Sequence, residues 1–210
     1  MPLNQQIRGR ATEGWALVGW TALGVAALVA GLLGVYGTGS AGLGVVIRLT
    51  ARVGVVLFVL AFAASSLRRA WRSPLTAWLL SNRRYIGVSF AVVHFTHLGA
   101  IAVSAMRAPA AFFQRNGTLA VLGGGGLAYL LLAGMTVTSF DRTAAWLGRT
   151  WWRRLHLAGG YLLWLVFLQS YAARVLLESA LYAPFALALI AALALRLWSA
   201  AKGRRGTPKK

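Results

Sequence analysis

The chain has 210 residues, of which 59% are hydrophobic, and its formal net charge is +19 at pH 7. Such a composition excludes an ordinary soluble domain of this length. Cysteine is absent and Asp plus Glu number only 3, which excludes disulfide frameworks, iron–sulfur clusters, c-type haem attachment and carboxylate-rich metal sites.

Six apolar segments reach the roughly 18–25 residues that a membrane-spanning helix needs. In chain order they cover residues 14–36, 44–66, 86–106, 118–139, 155–173 and 179–199. These segments predict an all-α integral membrane protein, a six-helix transmembrane bundle. We expect a single domain over residues 1–200 and a basic cytoplasmic tail over residues 201–210. The sequence contains no Walker lysine motif and no strand-anchored glycine motif for a nucleotide.

Basic residues concentrate on one side of the predicted bundle. With six spans, both terminal segments and the connections 67–85 and 140–154 share a side, and they hold most of the lysines and arginines. The opposite side holds Arg48, Arg52, Arg107, Arg115 and Arg174. This positive-inside asymmetry predicts that both termini are cytoplasmic. Membrane lipid head groups then account for the charge, and we expect no nucleic-acid partner.

Three segments between or within the spans carry further information. The connection 67–84 alternates arginines with Trp71 and Trp78, which is typical of a segment in the head-group plane. The segment RTAAWLGRTWWRRLH predicts an interfacial helix that leads into the fifth span. The glycine run 123–126 in the fourth span favours close packing of a neighbouring helix, with space for a flat macrocycle as the alternative.

The chain has three histidines, His94, His97 and His156, and all lie in or at the mouth of apolar stretches. An ionisable residue within a span is a candidate functional residue, and imidazole is the usual protein ligand of haem iron. His94 and His97 share one side of the third span. By helix rise, His97 lies roughly 20 Å beyond Arg84, whereas His156 lies only about 3 Å beyond Arg154. The two axial ligands of one haem need similar depth, so one haem with strongly shifted helices and two haem levels both stay open.

Two motifs resemble the ferric reductase-like transmembrane family. In that family's third helix an Arg-Arg pair is followed by a glycine and, ten residues later, a histidine; Arg83, Arg84, Gly87 and His97 stand at those positions in RRYIGVSFAVVHFTHLG. TSFDRTAAWLGRTWWRRLHLAGGY is similar to the family's TS-x-D, LG, W and LH-x-x-x-x-Y run, with His156 in the LH pair. The resemblance spans roughly residues 50–175. It is closest to the haem-binding membrane subunit of the protein-methionine-sulfoxide reductase system.

The resemblance implies a membrane b-type cytochrome with one or two b haems, with His97 and His156 as axial ligands of the haem iron. Arg83 and Arg84 are candidates to hold haem propionates. Electrons would pass from a cytoplasmic flavin reductase with FMN, or from membrane quinol, to a periplasmic reductase subunit. The chain would then be an electron-transfer subunit of an oxidoreductase system in a bacterial inner membrane, not a self-contained enzyme.

The sequence departs from the family pattern at Gln169, where a second fifth-helix histidine is expected 13 residues after the first. His94 is an additional histidine on the third helix, and either His94 or Gln169 could complete the ligand set. The departure supports an alternative, a non-redox membrane scaffold or assembly protein that has lost one or all haem sites. A transporter would be expected to show inverted repeats, and the sequence shows no internal repeat.

Overall fold

The computed structural model describes residues 12–117 and 119–205. Across these residues the chain is almost entirely helical and contains no strand. The helices are α1 Trp15–Tyr36, α2 Ser40–Ala70, α3 Pro74–Ser81, α4 Arg83–Arg107, α5 Pro109–Asn116, α6 Leu119–Val137, α7 Asp141–Leu147, α8 Arg149–Leu177 and α9 Ala183–Arg205. A single 3₁₀ turn, Ala180–Tyr182, precedes α9.

Five of the described helices, α1, α2, α4, α8 and α9, are long and apolar enough to cross a membrane. The α6–α7 pair becomes a sixth candidate when it is counted as one span, although the chain bends by 110° between the two helices. These lengths and compositions are those of a multi-pass membrane protein. The prediction of an all-α membrane bundle is therefore confirmed, with five to six candidate spans.

Several helices extend beyond the predicted spans. Helix α2 has 31 residues and α8 has 29. Helix α2 begins four residues before its predicted span and continues past it through Arg68 and Arg69, and α8 begins at Arg149 in an arginine-rich segment that hydropathy alone leaves out. Long basic side chains allow this, since their charged ends can reach the head-group region. Helix α9 runs to Arg205, so the predicted tail begins inside a helix, and residues 206–210 lie outside the described residues.

A glycine separates the two helices that replace the single interfacial helix predicted from the sequence. Helix α7 ends at Leu147, and Gly148 adopts φ +76° before α8 begins at Arg149. A positive φ of this size is readily adopted by glycine and strained for residues with a Cβ atom. Only Asp141–Leu147 therefore turns away from α6, and the arginine- and tryptophan-rich residues that follow belong to the long helix α8.

Helix α2 is central, because it packs most extensively against α4 and also contacts α1 and α9. Helix α8 packs against α6 and α9. Between α4 and α8 the space is filled by aromatic rings: Phe167 lies 5.2 Å from Phe58 and 5.9 Å from Phe90, centroid to centroid. Side chains rather than close backbone contact therefore join these two helices.

The glycine run of α6 does not serve close helix packing. A Cβ atom added to Gly124, Gly125 or Gly126 would meet nothing within 4 Å. No neighbouring helix of the described part approaches the backbone there, so the favoured interpretation of this run is wrong at these three positions.

Candidate cofactor cavity

A cavity of about 670 Å³ lies where α2, α4, α6 and α8 converge, at the end of the bundle where α4 and α8 begin. This volume falls within the range of about 300–1,000 Å³ that is typical of cofactor and ligand sites. Its apolar walls include Phe58, Phe62, Phe90, Leu132 and Leu163, and its polar lining includes His156 and four arginines, Arg83, Arg84, Arg153 and Arg196. We call it the His156 cavity.

The arginines of the His156 cavity have few acidic partners. Arg84 Nη1 lies 2.6 Å from Asp141 Oδ1, which is the only ion pair that these arginines make among the described residues. Arg83 Nε donates to a carbonyl oxygen of α2 at 3.0 Å. Arg196 Nη1 donates to the Phe62 carbonyl oxygen at 2.8 Å, and its guanidinium lies 4.1 Å from the Phe62 ring centroid. The surplus of positive charge suits an anionic group such as a carboxylate.

The imidazole of His156 is held by two residues at the cavity wall. Its Nε2 lies 3.2 Å from Thr138 Oγ1, while the Thr138 hydroxyl donates to the Gly134 carbonyl at 2.7 Å. Because that hydroxyl proton is already used, His156 Nε2 is the donor, and Nδ1 carries the lone pair. The Trp152 ring stacks on the imidazole at 4.2 Å, and its Nε1 donates to the Thr138 carbonyl at 2.9 Å.

His94 and His97 lie outside the His156 cavity. Their rings stack with centroids 5.1 Å apart and planes 10° apart. His97 Nδ1 lies 3.0 Å from the Ile47 carbonyl oxygen and 3.1 Å from Thr50 Oγ1. A carbonyl oxygen only accepts, so Nδ1 carries the proton and Nε2 of the neutral ring keeps its lone pair. In metal sites, a hydrogen bond from one ring nitrogen to a carbonyl oxygen commonly orients the histidine so that its other nitrogen can bind the metal.

Aromatic rings enclose His94. Its ring centroid lies 5.0 Å from that of Tyr129, 5.1 Å from Phe90 and 5.2 Å from Phe167. Its Nδ1 is buried without a hydrogen-bond partner. A Cβ atom at Gly54 would lie 3.3 Å from this Nδ1, so α2 approaches the imidazole closely.

The His156 cavity therefore brings together Arg83, Arg84 and His156 of the predicted site residues. The histidine pair of α4 forms a separate group. Gln169 is exposed on α8 and does not line the cavity. Arg196 also lines the cavity and was not predicted from the sequence, although an arginine inside the apolar run ALALRLW is a usable indication of a functional position.

Comparison of the chain with known protein families, with curated proteins and with solved structures found no match in any of the three. Within residues 12–117 and 119–205, no group of three or more His, Cys, Asp or Glu side chains is placed to hold a metal ion.

Proposed function

We propose that the chain is a membrane b-type cytochrome that holds haem b in the His156 cavity. One observation carries the proposal: a single cavity of cofactor size is lined by an imidazole, by aromatic rings and by four arginines, of which only Arg84 is paired with a carboxylate among the described residues. Haem b presents an iron, a flat apolar macrocycle and two propionates, and each finds a chemically matched group among these residues.

Each part of the His156 cavity has a distinct role in this proposal. His156 would ligate the iron. Arg83 and Arg196 would hold the propionates by charge-assisted hydrogen bonds. Phe58 and Phe90 would keep water away from the macrocycle. The bound haem supplies one-electron chemistry, and the protein sets its potential and position.

The uneven distribution of arginines and the motif resemblance support a membrane topology and a set of electron-transfer partners for the chain. We propose six spans with both termini in the cytoplasm of a bacterial inner membrane, which puts the His156 cavity on the cytoplasmic side. A cytoplasmic flavin reductase with FMN, or membrane quinol, would supply electrons. A periplasmic reductase subunit that repairs methionine sulfoxide would accept them. The chain would serve as the electron-transfer subunit of that oxidoreductase system.

A non-redox scaffold or assembly protein is the second candidate. It is favoured by the ligand count, because His156 is the only histidine that lines the cavity and Gln169 is exposed. The bond between His156 Nε2 and Thr138 also occupies the nitrogen that most often binds haem iron. This candidate predicts that the purified protein contains no haem and does not take up added haemin.

Haemin titration of detergent-solubilised protein tests the proposal, with Thr138→Val as an informative variant. Wild-type protein should give a saturable shift of the Soret band. Thr138→Val removes the hydrogen bond that competes for His156 Nε2, which is worth about 1 kcal/mol. We therefore expect this nearly isosteric variant to bind haemin about five-fold more tightly.

Thr136→Val is the matched control for this titration. Thr136 also lines the cavity from α6, but its hydroxyl donates to the Leu132 carbonyl at 2.7 Å and makes no bond to a histidine. The Thr136→Val variant should bind haemin with the affinity of the wild type. Weaker binding by Thr138→Val alone would mean that Thr138 supports His156 as a ligand instead of competing with iron.

A further inference from the structure

A second group of polar side chains lies at the opposite end of the bundle and takes no part in the His156 cavity. Arg52 lies on α2, 17 residues before Arg69, which is about 25 Å along the helix axis. A hydrocarbon layer is about 30 Å thick, so Arg52 lies within the apolar part of α2. A charged residue at such a position is costly and therefore a candidate functional residue.

Arg52 lies beside two tyrosines and a second arginine. We call this group, formed by Arg52, Tyr171, Arg174 and Tyr182, the Arg52 cluster. The guanidiniums of Arg52 and Arg174 lie 5.3 Å and 5.6 Å from the Tyr182 ring centroid. The rings of Tyr171 and Tyr182 are 6.2 Å apart. Glu178 binds Arg174 through both carboxylate oxygens at 3.0 Å. Among the described residues no carboxylate pairs with Arg52, so the cluster keeps a net positive charge.

Two donors of the Arg52 cluster are buried without an acceptor. Arg52 Nε and the Tyr171 hydroxyl have no hydrogen-bond partner, and Tyr171 is only 4% exposed. A buried donor without an acceptor destabilises the folded protein, and more so when the group is charged. Both donors need an oxygen acceptor, and the net positive charge of the cluster favours one that is anionic.

An apolar groove of about 120 Å³ lies between α2 and α9. It is lined by Val55, Val56, Val59, Leu60, Phe185 and Ala188. Arg52 lies one turn before Val55 and Val56 on α2, and Tyr182 lies three residues before Phe185, which puts the cluster toward one end of the groove. Val56 and Ala188 are exposed in the groove lining, so the arrangement offers a cationic end and an open apolar channel.

From this juxtaposition we infer that the Arg52 cluster and the α2–α9 groove bind one anionic phospholipid. Its phosphate oxygens accept hydrogen bonds from Arg52, and one acyl chain lies along Val56 and Ala188. A phosphate matches the positive charge, which a neutral quinone does not. The groove lining is entirely apolar and contains no histidine, so a haem would find no iron ligand here.

Native mass spectrometry of protein taken from vesicles of equal parts phosphatidylglycerol and phosphatidylcholine tests this inference. Wild-type protein should retain one phosphatidylglycerol under conditions that strip phosphatidylcholine. Arg52→Gln should lower that retention at least about ten-fold, because it removes a charge-assisted bond. Arg48→Gln is the matched control, since Arg48 is an exposed arginine one turn away on the same helix.

Ala188→Phe provides a second variant that keeps every charge and fills the groove, and it should also lose the phosphatidylglycerol. Circular dichroism checks that each variant is folded. Unchanged retention in both folded variants would overturn the inference, as would equal loss in Arg48→Gln, which would indicate general surface attraction. A bound neutral quinone in place of the phospholipid, or loss of haemin binding in Arg52→Gln, would also overturn it.

Discussion

His156→Ala should abolish haem binding by the protein. The substitution removes the only imidazole that lines the cavity, and it leaves the arginines and aromatic walls in place. Removing a residue that only hydrogen-bonds to a metal ligand typically lowers metal affinity about 10–100-fold. Removing the ligand itself should therefore lower haem affinity at least about 100-fold. The measurement is the Soret absorbance per chain in purified protein, followed by haemin titration.

Gln169→Ala is the matched control, because Gln169 lies on the same helix and is exposed. It should retain the haem content of the wild type. If His156→Ala kept its haem and Gln169→Ala lost it, the cofactor would be held at another level of α8 and the assignment of the cavity would be wrong.

Phe167→Ala should cause a large loss of stability. Phe167 is 6% exposed and contacts the rings of Phe58, Phe90 and His94 between α4 and α8. In a membrane protein the loss is mainly one of packing, because lipid is as apolar as the protein interior. We expect the free energy of unfolding to fall by about 3 kcal/mol, at the low end for removal of a buried phenylalanine.

Unfolding by sodium dodecyl sulfate, followed by circular dichroism, measures this change. Leu165→Ala serves as the control, since Leu165 is 52% exposed on the same helix and should change the free energy of unfolding much less. Equal losses in the two variants would show that the aromatic group does not join α4 to α8.

The existence of the long helices could be predicted from the sequence, because apolar length decides whether a segment can span a bilayer. The ends could not. Arg68 and Arg69 continue α2, and Arg149 begins α8, since a helix can extend into the head-group region without a change in backbone geometry. The absence of close helix packing at Gly124–Gly126 among the described residues could also not be predicted from the sequence, because small residues permit the close approach of another helix without requiring it.

The candidate site was predictable only in part. His156, Arg83 and Arg84 belong to motifs and do line one cavity. Arg196 lines the same cavity from the last helix, where it donates to the Phe62 carbonyl oxygen across 134 positions of sequence, a contact that no local pattern indicates. The bond between His156 and Thr138 likewise depends on how α6 approaches α8, which the sequence does not specify.

The most direct test of the proposed haem function is the dithionite-reduced minus oxidised spectrum of wild-type protein from haem-replete cells, with pyridine haemochrome quantification. A b-type cytochrome should show the reduced α and Soret bands and contain at least one haem b per chain. Protein that is folded, contains no haem and takes up none from haemin would contradict the proposal and leave the scaffold candidate.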